Sequence, residues 1–426
     1  MKKKFIILTA WKNIFRNKRR SLLSISAIAV AVSLVCFMKS YVDGLMENMA
    51  KNIFLFQTGH VKISHKDYEK EKKLMPLDLN ISGFESDYTE IVNTVSKMSG
   101  VYEVLPRIHF ASFIDRKDKL KNVLVLALDL QHEKSLNLKK KIIEGRIFEE
   151  WTPEKSNRPE IIICKTLAAE LGVKCGDKVT MLTRSAEEGL AHMTFYVSGI
   201  VSTEVINIDK YYIFMPLITA QYFLKMENAV LEILVLCKTK NIANKIAFMI
   251  NNFMNLNKDN PYIAESWTVQ NDGQYYKILT MGTKIYSLVY LVFLLLASLV
   301  IVNTTMMTVF ERTKEIGTIS AMGMRGKDII LLFFLEAVFL SVIASFIGTF
   351  IGGAFSFFFS RAGIDFATLS GGGMDFQISE RIFTTFNSSL LVFSFLFGII
   401  VSALCSFFPA KYAAKIEPVI AIRGRM

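Results

Sequence analysis

Four long stretches without a charged side chain divide this chain. Ser21–Met38 contains 18 such residues, Ile285–Phe310 contains 26, Ala337–Ser360 contains 24 and Ile382–Ala410 contains 29. About 20 apolar residues in a helix cross a bilayer core of roughly 30 Å, so the four stretches predict four transmembrane helices. A soluble core built on four helices without one charge is a far rarer arrangement. Residues 43–275, between the first two stretches, have a different character. Short β-rich runs recur at His60–Ser64, Val123–Leu128, Ile161–Cys164, Lys178–Thr183, Thr194–Val201, Tyr211–Met215 and Leu231–Cys237. Helical periods fall at Tyr88–Met98, Thr166–Gly172, Leu217–Met226 and Asn241–Asn255. This mixture predicts an α+β domain, large enough for its own core, inserted between transmembrane helices 1 and 2.

Finer patterning assigns the remaining segments. Residues 1–20 form a basic amphipathic helix with Ile7, Leu8, Trp11, Ile14 and Phe15 on one face, the pattern of an interfacial anchor. It is too long a basic region for a signal peptide, so an uncleaved anchor is expected. Residues 21–42 are the first span with the start of a stalk, and 276–310 are the end of a stalk with the second span. Val42, Leu45, Met46, Met49 and Ile53, and Tyr275, Leu279, Gly282 and Tyr286, continue the helical spacing into the α+β domain. Residues 311–328 are a short charged helix, 329–360 the third span, 361–381 a short loop with a turn at Gly371–Gly373, 382–410 the fourth span and 411–426 a basic tail. Ala344, Gly348, Gly352, Ser356 and Ser360, and Ser394, Gly398, Ser402, Ser406 and Ala410, place a small residue every fourth position. Such rows let helix backbones approach closely in lipid.

Charge then orients the chain. The net charge is +12, but the basic residues concentrate before Ser21, in 311–328 and after Ala410. By the positive-inside bias these three regions and both termini are cytoplasmic, and the domain at 43–275 lies outside. The distribution speaks against nucleic acid as a partner. Cys36 and Cys405 lie in spans, and Cys164, Cys175 and Cys237 form no disulfide framework, although a single 164–175 bridge stays open. The five histidines are scattered without HExxH or CxxC spacing, so no metal site is expected. Gly326–Lys327 is no phosphate-binding loop, because Ala321 and Asp328 stand where Gly and Ser/Thr are required. No cofactor is expected, and ATP, if used, must be hydrolysed by another chain.

The segment Glu311–Gly353, ERTKEIGTISAMGMRGKDIILLFFLEAVFLSVIASFIGTFIGG, joins a short charged helix to a span. Glu311, Arg312, Lys314, Glu315 and Arg325 offer charge-assisted contacts, Gly317 and Gly323 permit close approach, and Ile316, Ile319 and Met322 recur at i, i+3 and i+6. These residues are candidates for contact with an ATPase groove. Glu336 is the sole charge between Asp328 and Arg361. A carboxylate in a membrane helix needs a partner, and Arg20, Arg325 or Lys327 are the expected ones.

Four segments carry a family resemblance. Trp11–Val35, with its basic run ahead of span one, Glu311–Gly353, Phe408–Arg425 (FPAKYAAKIEPVIAIRGR) and Glu160–Thr180 (EIIICKTLAAELGVKCGDKVT) resemble, in order, motifs of MacB/LolC/FtsX-type permeases. The resemblance covers the chain end to end and implies a MacB-like periplasmic core domain at 43–275. It further implies a permease subunit of a mechanotransmission ABC transporter in the bacterial inner membrane. Two permease chains, identical or paralogous, would pair with two cytoplasmic ATPase subunits, and the helix at 311–328 would receive their motion. Lipoprotein release, of the LolC/LolE type, is the first expectation for function. In that reading Phe37, Tyr41, Tyr286 and Tyr290 are candidate substrate contacts, although an interfacial aromatic belt is the commoner reason for such residues. Partners would then include membrane lipids and a lipoprotein or its periplasmic acceptor. Alternatives are a peptide or macrolide efflux permease, a type that typically carries a fused ATPase where only 20 residues stand here, and an FtsX-like scaffold for a cell-wall hydrolase, whose outer domain is usually smaller.

Overall fold

The computed structural model describes residues 2–16, 18–71, 75–84, 87–116, 119–130, 132–154, 158–257, 260–365, 378–417 and 419. The expected turn at Gly371–Gly373 and the end of the basic tail lie outside these residues. The chain divides into two compact units, Met1–Met46 with Gly282–Ile364 and Ile382–Met426, and Glu47–Met281 with Asp365–Arg381.

The first unit is helical. Its elements are α1 (Lys2–Arg16), α2 (Lys18–Ile53), α3 (Gln274–Glu311), α4 (Thr313–Ala321), α5 (Gly326–Ala362) and α6 (Ser388–Ala413), of which α2 and α3 continue into residues of the second unit. Four of them, α2, α3, α5 and α6, are long and apolar enough to cross a membrane. Small residues decide how they pack. A Cβ on Gly348 would stand 2.5 Å from the Ala29 carbonyl oxygen, and one on Gly352 would stand 2.7 Å from that of Ser33, so α5 lies directly on the α2 backbone. Gly398 of α6 meets Ser345 of α5 in the same way, at 2.5 Å. Ala344 and Ser402 are fully buried along these seams. No polar driving force is needed: close backbones gain dispersion contacts that lipid tails cannot match.

Two features differ from the sequence reading. The fourth helix begins at Ser388 rather than Ile382, because Asn387 caps it by accepting the Leu390 N–H at 2.7 Å. The residues before it run extended, Thr385 donating its N–H to the Ser40 carbonyl and Thr384 its hydroxyl to that of Ser356. In α1, Ile6, Ala10 and Ile14 are buried, with Ile6 and Ala10 packed on Leu332 of α5, while Phe5, Ile7, Leu8, Trp11 and Phe15 stay exposed. The helix therefore has two apolar faces, one for the bundle and one outward, and only the outward face has the character of an interfacial anchor.

The second unit is built on a ten-stranded sheet. Its strands are β1 (Val61–His65), β2 (Val101–Arg116), β3 (Lys119–Leu128), β4 (Ile142–Gly145), β5 (Glu160–Cys164), β6 (Lys178–Arg184), β7 (Leu190–Val201), β8 (Tyr212–Pro216), β9 (Glu232–Cys237) and β10 (Tyr262–Ser266). The order is β10-β1-β9-β2-β3-β8-β5-β7-β4, with β6 pairing β2 and β7. Pairing is antiparallel except for β3–β8 and β5–β7. Both faces are covered, which explains the continuous apolar runs. Ile161 and Ile163 of β5 face one core with the helices Leu217–Leu224 and Ala243–Met254, and Ile162 and Cys164 face the other. Residues Ile53, Phe54 and Phe56, where α2 ends, belong to that second core. Helix Lys165–Leu171 stops at Gly172 in left-handed backbone, the expected cap. All five cysteines are free thiols.

His60 leads into β1, and its ring lies 4.5 Å from that of Phe54. Its Nδ1 accepts the Cys237 N–H at 2.9 Å, which requires that nitrogen to be unprotonated. Burial, helped by the positive charge of Lys240, lowers its pKa to about 4. The folded pKa lies below the unfolded value near 6.5, so His60 favours folding fully above that pH. The contribution is lost progressively as pH falls towards 4. Unfolding of the detergent-solubilised chain at pH 7.5 and 4.5 should show this loss, and His60→Gln should reduce the difference between the two.

Candidate functional site

The charged segment between α3 and α5 is shaped by one arginine. The α3 helix ends at Glu311, and Arg312 leaves helical geometry with φ −98° and ψ 12°. That break turns the Arg312 side chain inward, where it is 5% exposed. Its Nη1 donates to both oxygens of Glu336, at 2.7 and 2.8 Å, and its Nε donates to Glu315 at 2.9 Å. The guanidinium also stands 5.1 Å from the ring centroid of Phe333. Asn13 of α1 donates to the second Glu336 oxygen at 3.2 Å, and Arg16 of α1 donates to Glu315 at 2.7 Å. Three helices, α1, α4 and α5, thus meet on one network of two carboxylates.

The electrostatics follow from burial. Arg312 and Glu336 are shielded from water, so each needs the other, and the surplus lone pair on Glu336 is met by Asn13. Glu315 is half-buried. Burial pushes its carboxyl up, but the hydrogen bond and charge of Arg312, with the charge of Arg16, outweigh this and hold it below its ordinary value. The Arg16–Glu315 pair is largely solvent-exposed, so it adds little stability and mainly orients α1.

Beneath the network α4 packs inward. Ile316, 1% exposed, joins Val309, Ile329, Phe333, Ala410 and Ala413 in a small core, and Thr313 and Gly317 are buried beside it. The helix ends at Gly323, whose φ of +92° only glycine adopts without strain. The Met324 N–H then reaches back to the Ile319 carbonyl and the Met322 N–H to that of Thr318, closing the last turn. Arg325 is extended at the N-cap position of α5, its carbonyl accepting the Asp328 and Ile329 N–H groups, and Asp328 lies in the first turn of α5, where a negative charge is favoured.

The expected contact surface is therefore divided. Glu311, Lys314, Met322, Gly323 and Arg325 are exposed, with Met322 76% exposed, and Ile319 is half-buried. Arg312, Ile316 and Gly317 are not available to a partner in this structure. The physical reason is helical geometry: residues at i, i+3 and i+6 fan over roughly 120°, so Ile316, Ile319 and Met322 span from core to solvent. The partner of Glu336 is Arg312, not Arg325 or Lys327, which face solvent; the Arg20 side chain lies outside the described residues. The kink after Glu311 brings Arg312 against α5, and no sequence period encodes that turn. Asn13 and Arg16 escaped the sequence reading as site residues, although Asn13 is a polar residue among the buried positions Ala10 and Ile14.

Phe37 lines an apolar groove of about 670 Å³ between α2 and α5, with Leu34, Ile351 and Phe355. Tyr41 and Tyr286 are half-buried on α2 and α3 and do not line it; Tyr290 lies on α3 with its side chain outside the described residues. Among the described residues, no three histidine, cysteine or carboxylate side chains gather as metal ligands.

Two family models match this architecture. The FtsX-like permease C-terminal family matches residues 287–418, and the MacB-like periplasmic core domain matches residues 21–252. Helices and sheet domain together define a membrane permease of the ABC-transporter class. The chain belongs to the MacB/FtsX/LolC-type permease family. It is 23% identical over 428 residues to the macrolide export ATP-binding/permease protein MacB of Bdellovibrio bacteriovorus, covering 96% of this chain and 60% of the relative. It is 33% identical over 129 residues to the pyoverdine export ATP-binding/permease protein PvdT of Pseudomonas syringae pv. tomato, covering 30% of this chain and 17% of the relative. The chain thus spans less than two thirds of the length of these relatives. The crystal structure of the periplasmic region of MacB from Actinobacillus actinomycetemcomitans matches with a TM-score of 0.35 at 15% identity, covering 53% of this chain and 97% of that one.

Removing one member of the Arg312–Glu336 pair should strand a buried charge, at a cost of about 3–5 kcal/mol. Arg312→Met and Glu336→Leu should each lower the unfolding midpoint in detergent, and the double variant should lose much less than their sum. Additive losses would show that the two side chains do not depend on each other.

Proposed function

We propose that this chain is the membrane subunit through which a cytoplasmic ATPase drives an outer domain. In this reading the exposed side of α4 and the turn that follows it, with Lys314, Met322 and Arg325, receives the ATPase. The observation that carries it is the division of α4 into an exposed face and a face locked to α1 and α5 through Arg312, Glu315 and Glu336. A push on such a helix is passed to its neighbours, because the inner contacts are charge-paired and close-packed. The α2 and α3 helices, 36 and 38 residues long, are the natural conductors. At 1.5 Å per residue each is well over 50 Å long, beyond the roughly 30 Å of a bilayer core. Their orientation follows the basic residues: termini and α4 inside, sheet domain outside. The chain acts with a second permease subunit and an ATPase pair, and hydrolyses no ATP itself.

For the cargo, release of lipoproteins from the inner membrane is the reading that topology and the large outer domain first support. The groove beside Phe37 has the apolar character that an acyl chain requires. Export of a small molecule or peptide is the second reading, favoured by the macrolide and pyoverdine exporters among the relatives.

Two experiments test these statements. Lys314→Glu and Met322→Glu should abolish co-purification with the ATPase while leaving the unfolding midpoint within error, since both side chains are exposed. Retained association would remove α4 as the receiving helix. Depletion of the protein followed by membrane fractionation addresses cargo. Retention of outer-membrane lipoproteins in the inner membrane supports the first reading, and normal sorting with increased sensitivity to exported compounds supports the second.

A further inference from the structure

Among the described residues, the largest fully buried side chain is a charged one in the sheet domain. Arg107, in β2, is 0% exposed, and its Nε and Nη2 donate to Glu133, itself buried. Its third nitrogen, Nη1, donates to the backbone carbonyl of Leu55 at 2.6 Å. That carbonyl lies in an unusual place. The α2 helix gives way at Ile53 to a wide π-turn, Phe54–Thr58, and the chain then leaves the helix at Gly59. Gly59 has φ +58°, and its N–H closes the π-turn on the Phe54 carbonyl at 3.1 Å. The next amide, of His60, bonds to Val235 in β9. Neither amide that a continuing helix would aim at Leu55 is left for it, and Arg107 takes that position.

A second side chain repeats the arrangement. Gln270, also 0% exposed, donates its Nε2 to the Thr58 carbonyl at 3.2 Å and to the Glu265 carbonyl at 2.8 Å. It stands four residues before α3 begins. The last carbonyls of the α2 segment are thus held from the sheet by Arg107 and from the entry to α3 by Gln270. The Glu133 strap is fixed in turn, because Glu103 of β2 accepts the N–H groups of Lys134 and Ser135.

We infer that Arg107, assisted by Gln270, is the positioning residue that joins the end of α2 to the outer sheet, so that displacement of α2 moves the sheet rather than being absorbed at the π-turn. A π-turn with free carbonyls is a natural hinge, and a guanidinium seated on one of them, anchored by a buried carboxylate, stiffens it. This inference rests on the relay reading above.

The test uses the full permease with its ATPase in nanodiscs. Spin labels at exposed Lys51 and Lys178, in a Cys175→Ser, Cys405→Ser background, report α2 against the sheet. Arg107→Met with Glu133→Leu removes both buried charges together, so no lone ion is left to unfold the domain. The expected result is a broadened label distribution, ATP hydrolysis within twofold of wild type, and loss of the ATP-driven change in hydrogen exchange of β5 and β8. Arg107→Lys, still able to donate to Leu55, should restore part of the narrow distribution, and Gln270→Leu should shift it in the same direction as the double variant. A double variant with wild-type distances and a wild-type ATP response overturns the inference. A wild-type complex that hydrolyses ATP without any response in β5 and β8 overturns the relay reading instead, while the label distances still judge the joint by themselves.

Discussion

The Arg312 guanidinium sits between two carboxylates, on the far side of a helix break from the span that precedes it. In apolar surroundings neither it nor Glu336 persists alone, so the break after Glu311, the tilt of α4 and the docking of α1 all follow from keeping those charges together. Asn13 and Arg16 bring α1 to the same centre, and Ile316 fills the space beneath it. The side left over is the one with Lys314 on α4 and Met322 just after it. The exposed face is thus the complement of a buried ion pair.

The outer domain uses the same device at a different helix end. Arg107 is paired with a buried carboxylate and also donates from Nη1 to a backbone carbonyl. In both places a planar guanidinium serves where several acceptors must be met at fixed angles, which a lysine ammonium does less well. Between them the helices pack largely through small residues. The α5 helix lies on α2 through Gly348 and Gly352, and on α6 through Gly398, contacts close enough that a single Cβ would collide with a carbonyl or a hydroxyl.

Legibility varied with how local the cause was. The β5, β6, β8 and β9 strands were visible as apolar or alternating runs, and the helix stopping at Gly172 was visible from its cap. The β2 strand, sixteen residues long, was missed because Glu103, Pro106, Arg107 and Asp115 interrupt its pattern. Two of them, Glu103 and Arg107, are buried in polar bonds to the segment around Glu133. The short strands β4 and β10 lie at the sheet edges, where less apolar surface is required. At the candidate site, the sequence marked Glu336 and the charged helix but not their partners, since Arg312 is 24 positions from Glu336 and Asn13 is 323.

By itself the sequence determined the four apolar helices, the inserted α+β domain, the small-residue seams and the family motifs. These depend on side-chain types at short, regular spacings, and such periods survive in one dimension. Only the tertiary structure decided which charges are buried and whom they meet. That information lies in a helix break at Arg312, a π-turn at Phe54–Thr58 and the pairing of β2 with β9 at Arg107. Burial and pairing are properties of chain segments brought together from far apart, so a charge that reads as surface in the sequence becomes the centre of the structure once the backbone turns it inward.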